Sequence, residues 1–209
     1  MNMRRQPGTV CTAAATLLLA ACAPAKVTVV AHIPKPLLTP LPLKVGVRWS
    51  SDFASQVQKE PVGNEEWRID LGGAQTDAFK RVAAAMFRDA PTVPAAPAAG
   101  GGDGDPQHVD ATLEASLDSF STLLPSSGSS YYSATIGYKF ELRDADGKEL
   151  GTWIYEGYGS VPLRGAGQKT AVAQAAGLAI RDAFANMAVH LPEQEIVRRL
   201  LPHEELSAP

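Results

Sequence analysis

Alternation of apolar and polar side chains is the clearest pattern in this chain, and it predicts the strands of a β-sheet. The alternating stretches are Leu43–Trp49, Trp67–Leu71, Val109–Leu117 and Tyr132–Leu142. A period of two residues places the apolar side chains of each strand on one face of the sheet. Leu150–Tyr158 follows the turn Asp144–Lys148 and is predicted to return as the second strand of a hairpin.

The register of this hairpin decides where two aromatic side chains point. With a three-residue loop, Ala145–Gly147, Trp153 and Tyr155 point away from the core and form a candidate partner-contact surface. With a four-residue loop the register slips by one residue, and both rings point into the core. The sequence leaves both registers open.

Two stretches change to the helical period of 3.6 residues, Ala74–Arg88 and Thr170–Leu191. Their apolar stripes are Phe79, Val82, Ala83 and Met86 in the first, and Val172, Ala176, Ile180, Phe184, Met187 and Leu191 in the second. A short amphipathic helix is predicted within Glu193–Leu201. Two amphipathic helices on one face of a mainly antiparallel sheet of four to five strands give an α+β fold, a two-layer sandwich.

Three stretches between these elements show neither period. Ser50–Glu66 is polar and is predicted to be a loop. Pro91–Pro106 consists almost entirely of Pro, Ala, Gly and Asp, so this low-complexity insertion is predicted to be a disordered surface excursion. Phe120–Ser130 is serine-rich and is predicted to be a long connection. Leu123 and Leu124 near its tip either fold back onto the core or contact a partner or lipid.

The amino terminus has the parts of a bacterial export signal. Two arginines precede Val10–Ala20, an apolar run too short to span a bilayer, and small residues lead to Cys22. The ending Leu19-Ala20-Ala21-Cys22 resembles the lipobox of bacterial lipoproteins. That resemblance implies that residues 1–21 are a removed signal peptide and that a lipid is joined to the sulfur of Cys22. An ordinary secretory signal with an incidental cysteine is the alternative.

A lipid on Cys22 would determine where the protein works. Each buried methylene contributes roughly 0.8 kcal/mol, and three acyl chains would hold the chain on a membrane for its lifetime. Ala23, rather than an aspartate, follows the cysteine. In enterobacterial-type sorting this arrangement resembles an address for the outer membrane, which implies a lipid-anchored domain on its periplasmic face.

Five prolines lie between the cysteine and the first predicted strand. They are Pro24, Pro34, Pro36, Pro40 and Pro42. Repeated prolines favour extended backbone, so residues 22–42 predict a tether with a reach on the order of 60 Å. Lys26–Ile33 is apolar enough to dock as a short extended segment. A single domain is then predicted over residues 43–201, followed by a flexible tail over residues 202–209.

Composition narrows the chemistry of the mature chain. Cleavage before Cys22 leaves 188 of the 209 residues, with 17 basic and 22 acidic side chains and a net charge of −5. An acidic chain without a basic cluster is a poor nucleic-acid ligand. Cys11 leaves with the signal and Cys22 carries the lipid, so no thiol remains for a disulfide, a metal site or a nucleophile.

No catalytic motif stands out in the sequence. Gly157-Tyr158-Gly159 lacks the third glycine of a dinucleotide fingerprint, and Gly167-Gln168-Lys169-Thr170 lacks the glycines of a phosphate-binding loop. The four histidines, His32, His108, His190 and His203, are widely separated. We therefore expect no enzymatic activity, no cofactor and no metal.

The order of elements as a whole resembles the LPS-assembly outer-membrane lipoproteins and related uncharacterised periplasmic lipoproteins. The elements that carry the likeness are Leu43–Trp49, Ala74–Arg88, Val109–Leu117, the hairpin at Asp146-Gly147 and Thr170–Leu191. The resemblance implies a membrane-anchored periplasmic lipoprotein that serves as a non-catalytic accessory or assembly subunit of a cell-envelope complex, in biogenesis or transport. The alternative is a lipid- or glycan-binding module that uses a groove between the sheet and the helices.

Overall fold

The computed structural model describes residues 24–94, 109–125, 130–162 and 167–202. The export signal with Cys22 lies outside the described residues, as do most of the low-complexity insertion and most of the carboxy-terminal tail.

Eight strands and four helices are formed by the described residues. In chain order they are β1 (Ala25–Thr28), β2 (Leu41–Trp49), α1 (Ser51–Ala54), β3 (Val57–Val62), β4 (Glu65–Asp70), α2 (Gly72–Met86), β5 (Phe87–Asp89), β6 (Ala111–Leu123), β7 (Tyr131–Asp144), β8 (Glu149–Pro162), α3 (Gln168–His190) and α4 (Glu195–Arg199). The predicted α+β class is confirmed.

The strands make two sheets rather than the single sheet that was predicted. The larger has the order β5-β2-β6-β7-β8, and the smaller has the order β1-β4-β3. β2 runs parallel to β5 and β6, and β1 runs parallel to β4. The long ladders β6–β7 and β7–β8 are antiparallel, so antiparallel pairing dominates the larger sheet, as predicted.

The core lies between the larger sheet and the two long helices. Phe79 of α2, Phe140 of β7 and Phe184 of α3 meet there, with ring centroids 5.8–6.0 Å apart. The ring of Tyr138 lies 4.9 Å from that of Phe184. Every residue of the two predicted helical stripes is buried, which confirms both stripes. Contacts between offset aromatic rings of this kind stabilise a core beyond the area that they bury.

The loop predicted over Ser50–Glu66 was wrong, because this stretch contains α1 and β3. Ser50 starts α1, since its Oγ accepts a hydrogen bond from the Phe53 amide at 3.1 Å. β3 is an edge strand whose side chains are exposed or half-buried in alternation, with Pro61 in its ladder. An edge strand without a buried face lacks the apolar alternation that reveals a strand in sequence.

The amino-terminal tether was also predicted too long. Ala25–Thr28 forms β1 and pairs with β4, and the side chains of Val27 and Val29 are buried. The docking predicted for Lys26–Ile33 is therefore seen at its first residues. Four strand residues among several prolines are too few for a periodicity to be recognised.

The connection predicted over Phe120–Ser130 is partly strand. β6 continues to Leu123 and pairs with β7 up to Leu123 opposite Ser133. A register shift between Leu117 and Ser119 reverses which side chains face the core. Such a bulge interrupts the two-residue period, and for that reason the sequence pattern ended at Leu117.

The β7–β8 hairpin has the register of the four-residue alternative over most of its length. Tyr138 lies opposite Tyr155, and Phe140 lies opposite Trp153. Trp153 and Tyr155 therefore point toward the helices, which corrects the alternative in which they were exposed. Tyr155 is buried, and the half-buried Trp153 donates from Nε1 to Gln194 Oε1 at 3.0 Å.

A buried polar group joins α1, α2 and the sheet. The Gln75 side-chain amide donates to the carbonyl oxygen of Phe53, and its Oε1 accepts from the Tyr138 hydroxyl at 3.1 Å. Both Gln75 and Tyr138 are fully buried, so each bond satisfies a group that water cannot reach. Burial raises the pKa of Tyr138 well above its ordinary value.

We expect Tyr138→Phe to lower the free energy of unfolding at neutral pH. At alkaline pH we expect the variant to lose less stability than the wild type does. The lost hydrogen bond should cost about 1–3 kcal/mol at pH 7. Above about pH 10 the unfolded wild-type chain releases the phenol proton while the folded chain keeps it. Stability then falls as pH rises, by up to about 1.4 kcal/mol per pH unit from this group.

Thermal unfolding of both proteins at pH 7, 9, 10 and 11 measures this effect. Val82→Ala, which removes buried methyl groups and no titratable group, should keep the wild-type pH dependence. An equal alkaline loss in the Tyr138→Phe and Val82→Ala proteins would contradict the role of the buried phenol.

Candidate functional site

The four residues that were predicted to contact a partner lie in different parts of the structure. Leu123 is 60% exposed and lies opposite Ser133 on the helix-free face of the larger sheet. Leu124 is half-buried against the core. Trp153 and Tyr155 are on the other face, under the helices. Of the four, only Leu123 is available to a partner.

Leu123 belongs to one end of the domain, which we call the β1 end and define by Ala25, Glu65, Leu123, Pro162 and Gln168. β1 begins there, because Ala25 pairs with Trp67 near the start of β4. Glu65, the first residue of β4, lines a small cleft together with Gln168 at the start of α3. The amino termini of β1, β4 and α3 thus lie together.

The carboxyl end of β8 reaches the same place. α3 runs antiparallel to β8, since Gly157 lies against the α3 backbone at Ala179 and Gly159 lies against it at Ala175. Pro162 at the end of β8 therefore lies near the start of α3. Tyr131 pairs with Pro162. The tip of the β6–β7 hairpin is consequently part of the β1 end.

The helix-free face of the larger sheet, which we call the open face, is polar with a few exposed apolar side chains. Ile154 is 52% exposed and Tyr158 is 57% exposed on this face. The Tyr158 hydroxyl lies 2.9 Å from Ser133 Oγ. Hydrogen bonds with Ser133 and Ser160 lower the pKa of Tyr158. Ile154 and Tyr158 could not be identified from the sequence, because the direction of their side chains depends on the hairpin register.

A charged group occupies the centre of the open face. Glu141 accepts from Lys139 Nζ and from Arg143 Nη2, each at 2.8 Å. Hydrogen bonds from Lys139 and then Arg143 lower the pKa of the Glu141 carboxyl. Ion pairs at this spacing hold the long side chains of Lys139, Glu141 and Arg143 over the strands. Ile154 pairs with Lys139 and is an exposed apolar side chain beside this charged group.

The outer edge of β8 is protected by α3. The Tyr158 amide donates to Asp182 Oδ2 at 3.0 Å, and Asn186 Nδ2 donates to the carbonyl oxygen of Glu156 at 2.8 Å. Backbone groups on a sheet edge are otherwise a template for pairing with another chain. Two α3 side chains thus occupy the middle of a 14-residue edge strand.

We expect the double variant Asp182→Ala/Asn186→Ala to self-associate through β8. It loses two hydrogen bonds, which should cost about 1–2 kcal/mol, and it uncovers edge groups at Glu156 and Tyr158. Light scattering after size-exclusion chromatography in detergent should show dimers or larger species. Arg181→Ala is the matched control, since Arg181 makes no hydrogen bond to β8 in the described part of the chain. Equal masses for the two variants would contradict the edge role.

Surface clefts run along the segment that follows β1. One of them, of about 700 Å³, is lined by residues 29–34 and by Asp77, Arg81 and Arg181. The groove that the sequence placed between the sheet and the helices is filled instead, because the rings of Tyr138, Phe140 and Phe184 occupy that space. A lipid- or glycan-binding role for this chain stays a prediction.

Within residues 24–94, 109–125, 130–162 and 167–202, no group of three or more His, Cys, Asp or Glu side chains is placed to hold a metal ion. In the same ranges, no helix has the length and apolar character needed to cross a bilayer.

Comparison with known proteins gives similarity of layout only. No family model and no curated protein matches the chain. A protein from Xanthomonas campestris assigned to family DUF330 aligns over 81% of this chain and 99% of its own, with 12% identity and a TM-score of 0.49. A minor lipoprotein from Acinetobacter baumannii aligns over 78% of this chain and 97% of its own, with 13% identity and a TM-score of 0.43. Likeness of this extent assigns neither a family nor an activity.

Proposed function

We propose that this chain is a lipoprotein of the bacterial cell envelope, anchored through a lipid on Cys22, and that its domain is a non-catalytic accessory or assembly subunit of an envelope complex. The observation that carries the proposal is where the lipobox-like Leu19–Cys22 lies relative to the fold. Cys22 precedes Ala25, the first residue of β1, by only three positions. A lipid at that position would hold a folded domain directly at a membrane.

We further propose that the membrane is the outer membrane and that the complex acts in envelope biogenesis or transport. Ala23 after the cysteine supports the outer membrane, with the domain on its periplasmic face. A role in envelope biogenesis or transport is supported by the combination of a lipid anchor and a small α+β domain that offers binding surfaces.

The open face is the surface that best supports a protein partner. None of the described helices lies on it, and it carries Ile154 and Tyr158, two large exposed side chains beside an ordered charged group. Apolar and aromatic anchors surrounded by polar groups are typical of protein interfaces. The middle of the β8 edge is less available, because Asp182 and Asn186 occupy it.

Site-specific photo-cross-linking in native cells tests the proposal. A photoreactive residue at Ile154 or at Tyr158 should give one discrete adduct with the same envelope protein. Val189 is the matched control, since it is an equally exposed apolar residue on α3. Adducts should be absent from position 189 and should disappear when Cys22→Ala is added. The same adduct pattern at positions 154 and 189, or none at positions 154 and 158, would contradict the accessory role.

A further inference from the structure

The chain between the lipid and the folded domain is very short. Three residue steps separate Cys22 from Ala25, where β1 begins. A fully extended chain spans at most about 3.3–3.6 Å per residue, so this link reaches only about 10 Å. If Cys22 carries a lipid, as the proposed function requires, Ala25 cannot move farther than this from the lipid headgroups, so the β1 end is the end of the domain that lies toward the bilayer.

The side chains exposed near that end suit a membrane interface. Leu123, at 60% exposure, and Tyr131, at 52% exposure, lie at the tip of the β6–β7 hairpin. Tyrosine is enriched where a bilayer meets water, because its ring is apolar and its hydroxyl is polar. The turn at the other end of β7, residues 144–148, carries Asp146 and Lys148 instead.

We propose that the β1 end docks on the bilayer that holds the Cys22 lipid, with Leu123 and Tyr131 seated in the interfacial layer. The bilayer is the occupant because the short link keeps this end beside it. The described charges level with or beyond Ala25 are Glu60, Glu65, Glu66 and Lys169, and the next charge along β1, Lys26, lies 3.9 Å from Asp70, so this end has no positive excess. The docking is therefore apolar, and ionic strength does not control it.

A single fluorescent label measures the docking in the full mature protein. The mature chain has no cysteine besides the lipidated Cys22, so Ser130→Cys places one reactive thiol at the β1 end. Ala145→Cys places a matched thiol in the exposed turn at the opposite end. Each protein is placed in a bilayer disc of phosphatidylethanolamine and phosphatidylglycerol with brominated acyl chains, which quench fluorophores at short range.

We expect several-fold stronger quenching at position 130 than at position 145, at both 0.05 M and about 1 M salt. Leu123→Asp should reduce quenching at position 130 to the level at position 145. Val189→Asp, an equivalent change near the carboxyl end of α3 and away from this end, should leave it unaltered. Thermal unfolding of both aspartate variants checks that they fold.

Two results would overturn the docking. One is equal quenching at positions 130 and 145, and the other is loss of quenching in 1 M salt. The intact mass of the protein in the same samples shows whether Cys22 carries a lipid. It therefore distinguishes failure of the docking from failure of the proposed function. A lipidated chain with equal quenching rejects only the docking, whereas a chain without lipid on Cys22 rejects the lipoprotein proposal itself.

Discussion

Cys22→Ala should transfer the protein from the membrane fraction to the soluble fraction, with a loss of more than about tenfold in the membrane-bound share. Each acyl methylene contributes roughly 0.8 kcal/mol to membrane binding, and stable anchoring requires more than one chain. The side chains exposed at the β1 end are too few to replace the anchor. Fractionation of cells that make each protein, followed by immunoblotting, measures the two shares.

Cys11→Ala is the matched control for that variant. It makes the same chemical change, but Cys11 lies inside the predicted signal peptide and would be removed with it. Its mature product should remain in the membrane fraction at the wild-type level. Membrane retention of the Cys22→Ala protein in a wash with alkaline carbonate would show that something other than a lipid on Cys22 holds the chain.

Gly159→Ala should strongly destabilise the domain. A Cβ at this position would overlap the carbonyl oxygen of Ala175 and would lie 2.6 Å from the amide nitrogen of Ala179, both in the α3 backbone. A helix backbone cannot yield as a flexible side chain can, so α3 must move off β8. We expect a loss of about 3 kcal/mol or more, which corresponds to a fall of about 6–12 °C in Tm.

Gly73→Ala provides the comparison for that result. A Cβ at Gly73 meets no atom within 4 Å, and the residue lies in the exposed first turn of α2. Its Tm should stay constant or rise slightly, because alanine favours helix more than glycine does. Thermal unfolding by circular dichroism in detergent compares both variants with the wild type. Equal Tm values for Gly159→Ala and Gly73→Ala would refute direct contact between α3 and β8.

The elements that bury a complete face could be predicted from the sequence. In β7, Ile136, Tyr138 and Phe140 are apolar at every second position, and all three are buried. Phe79 and Phe184 mark the helical stripes in the same way. Where one face of an element enters the core, the period of the apolar residues reports the geometry directly.

The remaining elements could not be predicted, for physical reasons that differ. β1 has four residues, which is too short for a periodicity. β6 changes face at the shift between Leu117 and Ser119, so its polar second half resembles a loop. The smaller sheet depends on the pairing of β1 with β4, a contact between residues about forty positions apart that no local pattern encodes.

The candidate site was predicted only in part. Leu123 was identified as an apolar residue in a polar stretch, and it is exposed. Trp153 and Tyr155 were assigned to a surface only under one of two registers, and the structure has the other. Once the register is known, Ile154 and Tyr158 fall on the open face. A shift of one residue in the register therefore decides whether Trp153 and Tyr155 or Ile154 and Tyr158 are the surface side chains of β8.

The mass of the amino-terminal peptide of the mature protein tests the lipid anchor most directly. The protein is purified from the membranes of native cells, digested, and measured by mass spectrometry. We predict that the mature chain begins at Cys22 and that this residue carries a diacylglycerol on its sulfur and an acyl group on its amine. A chain that keeps residues before Cys22, or a Cys22 with an unmodified sulfur, would contradict it.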